Sequence, residues 1–110
     1  MKIENIPFTV TDWNTLPPVE HPGESGTSHW RTCETGHLRV RMVEYSAGFR
    51  SDHHCPRGHV LLVLEGELGV ALKDGRVHRL TAGKSFQAGD DEVNPHLAFS
   101  EKGARVFIVD

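Results

Sequence analysis

From His37 to its end the chain is a series of short apolar stretches separated by turn residues, and none of them holds a helical period. Leu38-Arg39-Val40-Arg41-Met42 alternates apolar and polar side chains, the pattern of a half-buried strand. Ser46-Ala47-Gly48 interrupts it. Val60–Leu64 is a continuous apolar run between Gly58 and Glu65-Gly66, which predicts a strand buried on both faces. Leu68–Leu72 follows, and Asp74-Gly75 gives a hairpin signal with Val77–Leu80 as the returning strand. The glycines at 83 and 89 flank a short strand at Ser85–Gln87. Leu97–Phe99 and Arg105–Val109 are the last two strands, divided by Lys102-Gly103. Many short strands with glycine at the turns predict an all-β sandwich or small barrel.

Residues 1–30 are different. Pro7, Pro17, Pro18 and Pro22, with Gly23 and Gly26 behind them, exclude a long helix. Yet Ile3, Ile6, Phe8, Val10, Trp13 and Leu16 are too apolar for a free tail. This segment reads as an extended arm with short strands, packed on its own domain or, in the swapped alternative, on a partner subunit. The 110 residues are enough for one domain with a real core, so 1–110 is taken as a single unit with its barrel core at 37–110.

Charge excludes some partners. Twelve Lys and Arg against 15 Asp and Glu give a net charge of −3 with no basic block, which argues against nucleic acid or an anionic membrane. No apolar run approaches the roughly 20 residues of a membrane-spanning helix. The start, MKIENIPFTV, lacks the apolar core of a signal peptide, so a cytoplasmic location is the default expectation. Cys33 and Cys55 are read as free thiols or ligands rather than as a bridge, because Cys55 stands among histidines.

That histidine cluster is the chemical feature of the chain. Asp52–Gly66 reads DHHCPRGHVLLVLEG. Strand parity puts His53 and Cys55 on one face and His54 on the other, and the turn at Pro56-Arg57-Gly58 brings His59 back to the side of the first two. Further on, Pro95 holds Asn94 extended, so that His96 enters a barrel interior at the first residue of its strand. Imidazole and thiolate together point to a metal. Two blander readings stand beside this one. The histidines suit a wet pocket without a metal, and Cys55 suits a small buried apolar residue beside three histidine ligands. His21, His29, His37 and His78 have no clustered partners and read as surface or structural. Arg41, Tyr45 and Trp30 are candidates for the barrel mouth, but alternating arginine in a strand reads first as a solvent-facing row, and Arg57 reads as a solvated turn residue.

This arrangement resembles the cupin family. Its first motif runs glycine, His-x-His, three or four residues, an acid, six residues and a glycine. Here Gly48 precedes His53, Cys55 stands at the second histidine, His59 at the acid and Gly66 at the last glycine, while His96 matches the histidine of the second motif. The match covers roughly 37–110. More narrowly, Asp52-His53-His54-Cys55, Asp12-Trp13, Trp30-Arg31-Thr32, Arg41–Tyr45 and Phe107–Asp110 resemble a group of small single-domain cupins with an Asp-His-x-Cys signature, over nearly the whole chain. The resemblance implies a cupin-type β-barrel (a double-stranded β-helix, or jelly roll) with metal ligands His53, Cys55, His59 and His96.

Cysteine and histidine in place of histidine and glutamate make that set soft. It favours a divalent transition metal, zinc first, with nickel, copper or Fe(II) also compatible. The expected function is a metal-binding cupin that takes a small-molecule ligand at the metal, with catalysis open. The alternative is a metal-dependent dioxygenase, isomerase or lyase acting on a small organic substrate. The resemblance also implies a homodimer, paired through strand edges and the N-terminal arms.

Overall fold

A computed structural model describes residues 3–110. After a single 3-10 turn at Trp13–Thr15, nine strands follow in order: β1 Val19–Pro22, β2 Thr27–Thr35, β3 Leu38–Tyr45, β4 Phe49–Arg50, β5 His59–Leu72, β6 Val77–Thr81, β7 Ser85–Ala88, β8 His96–Ser100 and β9 Ala104–Val109. The described chain is all-β, the class expected of a cupin-type barrel. Its strands run in the order β1-β2-β3-β9-β5-β8-β4, every pairing antiparallel, with β6 and β7 also paired to β5.

β5 ties the sheet together because its two halves have different neighbours. His59–Leu62 pairs with β7, and Val60–Gly66 with β9. Beyond that, Glu67–Ala71 pairs with β6 and Gly69–Leu72 with β8. The change of neighbours falls at a register shift between Val63 and Glu65, next to Gly66 at φ +78°. A Cβ on Gly66 would collide with the carbonyl oxygen of Gly103. The Glu65-Gly66 pair therefore bends a 14-residue strand and does not end one.

The same strand corrects the expectation of burial on both faces. His59, Leu61 and Val63 point inward, whereas Val60 and Leu62 remain 42% and 36% exposed. A barrel wall has only one inner face, so an unbroken apolar run still alternates. The core consists of Val43, Leu61, Val63, Leu68, Val70, Leu80, Ala104, Val106 and Ile108.

A second correction concerns β3. Its alternation is real, but the arginines take the inner face. Arg41 pairs with Ile108 of β9, which pairs with Leu61 of β5, so the guanidinium stem lies in an inward row. Leu38 and Val40 instead border the outer groove that Ile6, Thr11 and Trp13 of the arm line, and Trp13 meets Phe107 edge-on at 6.2 Å. Alternation fixes that two faces differ in polarity; it does not say which one is inside.

Candidate metal centre

Two loops build the site, and hydrogen bonds clamp them together. The backbone of Cys55 pairs with that of His96 in an isolated antiparallel bridge, N to O at 2.6 Å and 3.0 Å. Asp90 Oδ1 accepts from the Gly58 N–H at 2.6 Å, and the Asp91 N–H donates to Pro56 O at 2.8 Å. Asp91 Oδ1 also accepts from the Val93 and Asn94 N–H groups. Asn94 in turn bonds Asp74 in the β5–β6 hairpin, which fixes the approach to His96. The Asp90 and Asp91 carboxylates each commit one oxygen to backbone amides, which holds the loops in place, and neither belongs to the ligand group they frame.

Within this frame the ligand atoms of Cys55, His59 and His96 lie within 4.8 Å of one another. Cys55 Sγ stands 3.8 Å from His59 Nε2, and the rings of His59 and His96 meet edge to face at 5.0 Å. Sulfur and nitrogen ligands of one tetrahedral zinc ion stand about 3.5 Å apart, so this spacing fits a shared ion after a small closure. Burial pulls the His59 pKa down to about 4, helped by the charges of His96 and Arg41 against the pull of Asp110. Burial, then the charge of His54, lowers that of His96. Both imidazoles are therefore neutral near neutral pH, the form that binds a metal.

His53 stands outside the group of three. Its side chain is 70% exposed, with Nδ1 2.6 Å from Asp52 Oδ1, although it lines the same cavity. Residues 51–58 form no strand, so the side-to-side parity assumed for 53–55 does not apply there. His54 is exposed. Both cysteines are free, and Cys33 lies on β2 with Thr11 Oγ1 3.6 Å from its sulfur.

Behind His59 lies a residue that sequence reasoning placed only in a terminal motif. The Asp110 carboxylate is 1% exposed and stands 3.0 Å from His59 Nδ1. That oxygen sits off the line of the ring N–H, so Nδ1 gains charge contact without an aligned hydrogen bond. Arg39 grips the same carboxylate with two bonds, Nε to Oδ1 at 3.0 Å and Nη2 to Oδ2 at 2.8 Å. Arg57 Nε reaches Oδ2 at 3.2 Å and Arg41 Nη2 at 3.4 Å. Burial pushes the Asp110 pKa up, but the Arg39 bonds and the surrounding positive charges outweigh it and hold it below the carboxylate range. Arg57 is exposed, as expected, but its guanidinium reaches this network.

The cluster opens on a cavity of about 280 Å³, into which Trp30, Arg39, Arg41 and Tyr45 also face. An apolar cavity of about 370 Å³ adjoins it, sharing Val70, Phe86 and His96. His96 therefore stands on the wall between a cationic lobe and an apolar one.

No protein-family model matches the chain, and no curated protein is significantly similar to it. Solved structures are similar in fold. An RmlC-like cupin from Shewanella frigidimarina NCIMB 400 superposes with a TM-score of 0.69 at 22% identity, over 97% of this chain and 89% of that one. A sugar phosphate isomerase of the cupin superfamily from Silicibacter pomeroyi gives 0.69 at 17% identity, over 92% and 74%. The Fe(II)-HppE structure with an alternative substrate, (S)-1-HPP, gives 0.75 at 16% identity, over 94% of this chain and 60% of that one.

Proposed function

We propose that this protein binds a divalent transition metal through Cys55, His59 and His96 and takes a small molecule at the position those three leave open. The observation that carries the reading is the meeting of three metal-ligating atoms within 4.8 Å at the wall of a cavity. One thiolate and two neutral imidazoles suit zinc best, with Fe(II), nickel and copper compatible. The Fe(II) named for one structural neighbour supports a divalent ion of this kind. When bound, such an ion supplies Lewis acidity to an oxygen of the ligand.

The chain's own residues shape what reaches that position. Phe86 and Val70 give it an apolar wall shared by both cavities. Tyr45 presents a phenol whose pKa burial pushes up to about 12, so it stays protonated and uncharged at neutral pH and offers a ligand a donor. His53 stands exposed at the cavity, free to ligate or to relay a proton.

The second reading, a metal-dependent enzyme acting on a small organic substrate, gains support from the count of three ligands. Structural zinc sites are closed by four protein ligands, and catalytic ones keep one position open. Elemental analysis of protein purified without a histidine tag tests the metal. Near one equivalent per chain, lost in Cys55→Ser and in His96→Ala, is the expected result. Absence of metal from untagged protein that also fails to take up zinc or Fe(II) overturns it. Loss of metal in His53→Ala as well would return His53 to the ligand set and favour the closed, binding-only site.

A further inference from the structure

Arg41 is the buried charge that the metal reading does not use. Its side chain is 6% exposed, yet its Nε has no hydrogen-bond partner. Among the described residues the one carboxylate it reaches is Asp110, at 3.4 Å, and Arg39 already holds both oxygens of that carboxylate at 3.0 Å and 2.8 Å. Three guanidiniums (Arg39, Arg41 and Arg57) therefore share one carboxylate, with the Cys55 sulfur and, for Arg39, Glu34 as the further sources of negative charge. Burying a cation without a full counterion is costly, and nature seldom leaves one so placed without a use. The guanidinium lies 4.4 Å from the centre of the Trp30 ring, which holds its plane without neutralising it.

The cavity beside it has the matching chemistry. Two arginines line it, and neither aspartate nor glutamate does. No lysine lines it either, and no helix N-terminus is available to cradle a phosphate. A buried guanidinium on one side and an apolar far wall suit a small monoanion with a carbon tail. At about 280 Å³ the space is at the small end of ligand cavities, which run from roughly 300 to 1,000 Å³.

From this we infer that the ligand of the barrel is a small organic carboxylate whose anionic end pairs with Arg41, its carbon chain lying toward His96, Phe86 and Val70. The inference rests on the cavity being the ligand site, but the carboxylate contact belongs to Arg41 and not to the metal ligands.

The test uses propionate, with propionamide as its neutral isostere, followed through the indole N–H resonance of Trp30. Wild-type protein is titrated both stripped of metal and loaded with zinc. Propionate should shift that resonance saturably in both forms, and propionamide in neither. Arg41→Lys should weaken propionate about tenfold, since an ammonium keeps the charge but loses the bidentate fork. Arg41→Met should abolish the response. Equal responses to the amide and the acid overturn the inference. So does a propionate response confined to the zinc-loaded form, which would make the metal the anion site. Should Arg41→Met fail to fold, the wild-type comparison of acid with amide still decides. Protein that binds no zinc yet keeps the propionate response would sink the metal reading and leave the carboxylate site standing.

Discussion

Tyr45 is the only tyrosine in the chain, which makes one buried position directly readable. The residue as a whole is half-buried, but its hydroxyl lies inside, and burial pushes its pKa from 10.0 up to about 12 against the opposing charge of Arg41. The folded state keeps its proton where the unfolded state begins to lose it, so this stability is fully present below pH 10 and lost as pH rises through about 12. Phenolate absorbance followed against pH should show one late transition in the folded protein and an ordinary one in denaturant. His59 has the opposite sign. Its pKa falls from 6.5 to about 4, so the metal-free protein should hold its full stability above pH 6.5 and lose about 2–3 kcal/mol as pH drops through 4. Denaturant midpoints across that range check this, and a flat profile refutes it. Asp110→Asn leaves Arg39 and Arg41 buried without their carboxylate and should cost about 3 kcal/mol in chemical denaturation. Arg57 adds little to that loss, because it is half-exposed.

At the scale of the element, β5 decides the architecture. It borders β9 and β7 along one half and β6 and β8 along the other, and the bend at Gly66 lets it do both. Gly66→Ala should destabilise by about 2–3 kcal/mol, since it combines a left-handed φ with a collision against the Gly103 backbone. An equilibrium urea titration would show this, and an unchanged midpoint would mean that the bulge relaxes freely. The loop of Asp90 and Asp91 plays the matching part for the site. The Asp90 carboxylate and the Asp91 backbone N–H fasten it to the Pro56-Arg57-Gly58 turn, so that Cys55 and His96 meet as a backbone pair before any metal is considered. Neither loop has a regular period, so hydrophobic patterning could not reveal the clamp.

At the scale of the molecule, the outer wall is incompletely covered. The arm lays Ile6 and Trp13 over β2, β3 and β9, but its Phe8 and Val10 stand 97% and 82% exposed. Val60 and Leu62 on the next strand along remain partly bare as well. Burying such surface is favourable at about 25 cal/mol per Å², and we propose that a second copy of this chain covers it. Light scattering coupled to size exclusion should report a dimer, with Phe8→Asp shifting it to monomer; a monomeric wild type at micromolar concentration rejects this.

Most strands from His37 onward and the Asp74-Gly75 hairpin were determined by the sequence alone, because period and turn chemistry are local properties; the short β4 and the joining of Val60–Leu64 to Leu68–Leu72 in one bent strand were not. The presence of imidazoles and a thiol at the mouth of the longest strand was also determined by the sequence. What only the tertiary structure decided is long-range. Asp110 meets Arg39 across 71 positions, and a carboxylate gives no local sign of which cations it will find. The inward turn of Arg41 reversed the expected face of β3, because alternation specifies two faces and only the closing of the barrel, with the arm packed outside, chooses between them. The grouping of Cys55 and His59 with His96 follows from the same closure. A loop pinned by two aspartates brings these residues together, whereas the parity of an isolated strand would have set His53 beside Cys55.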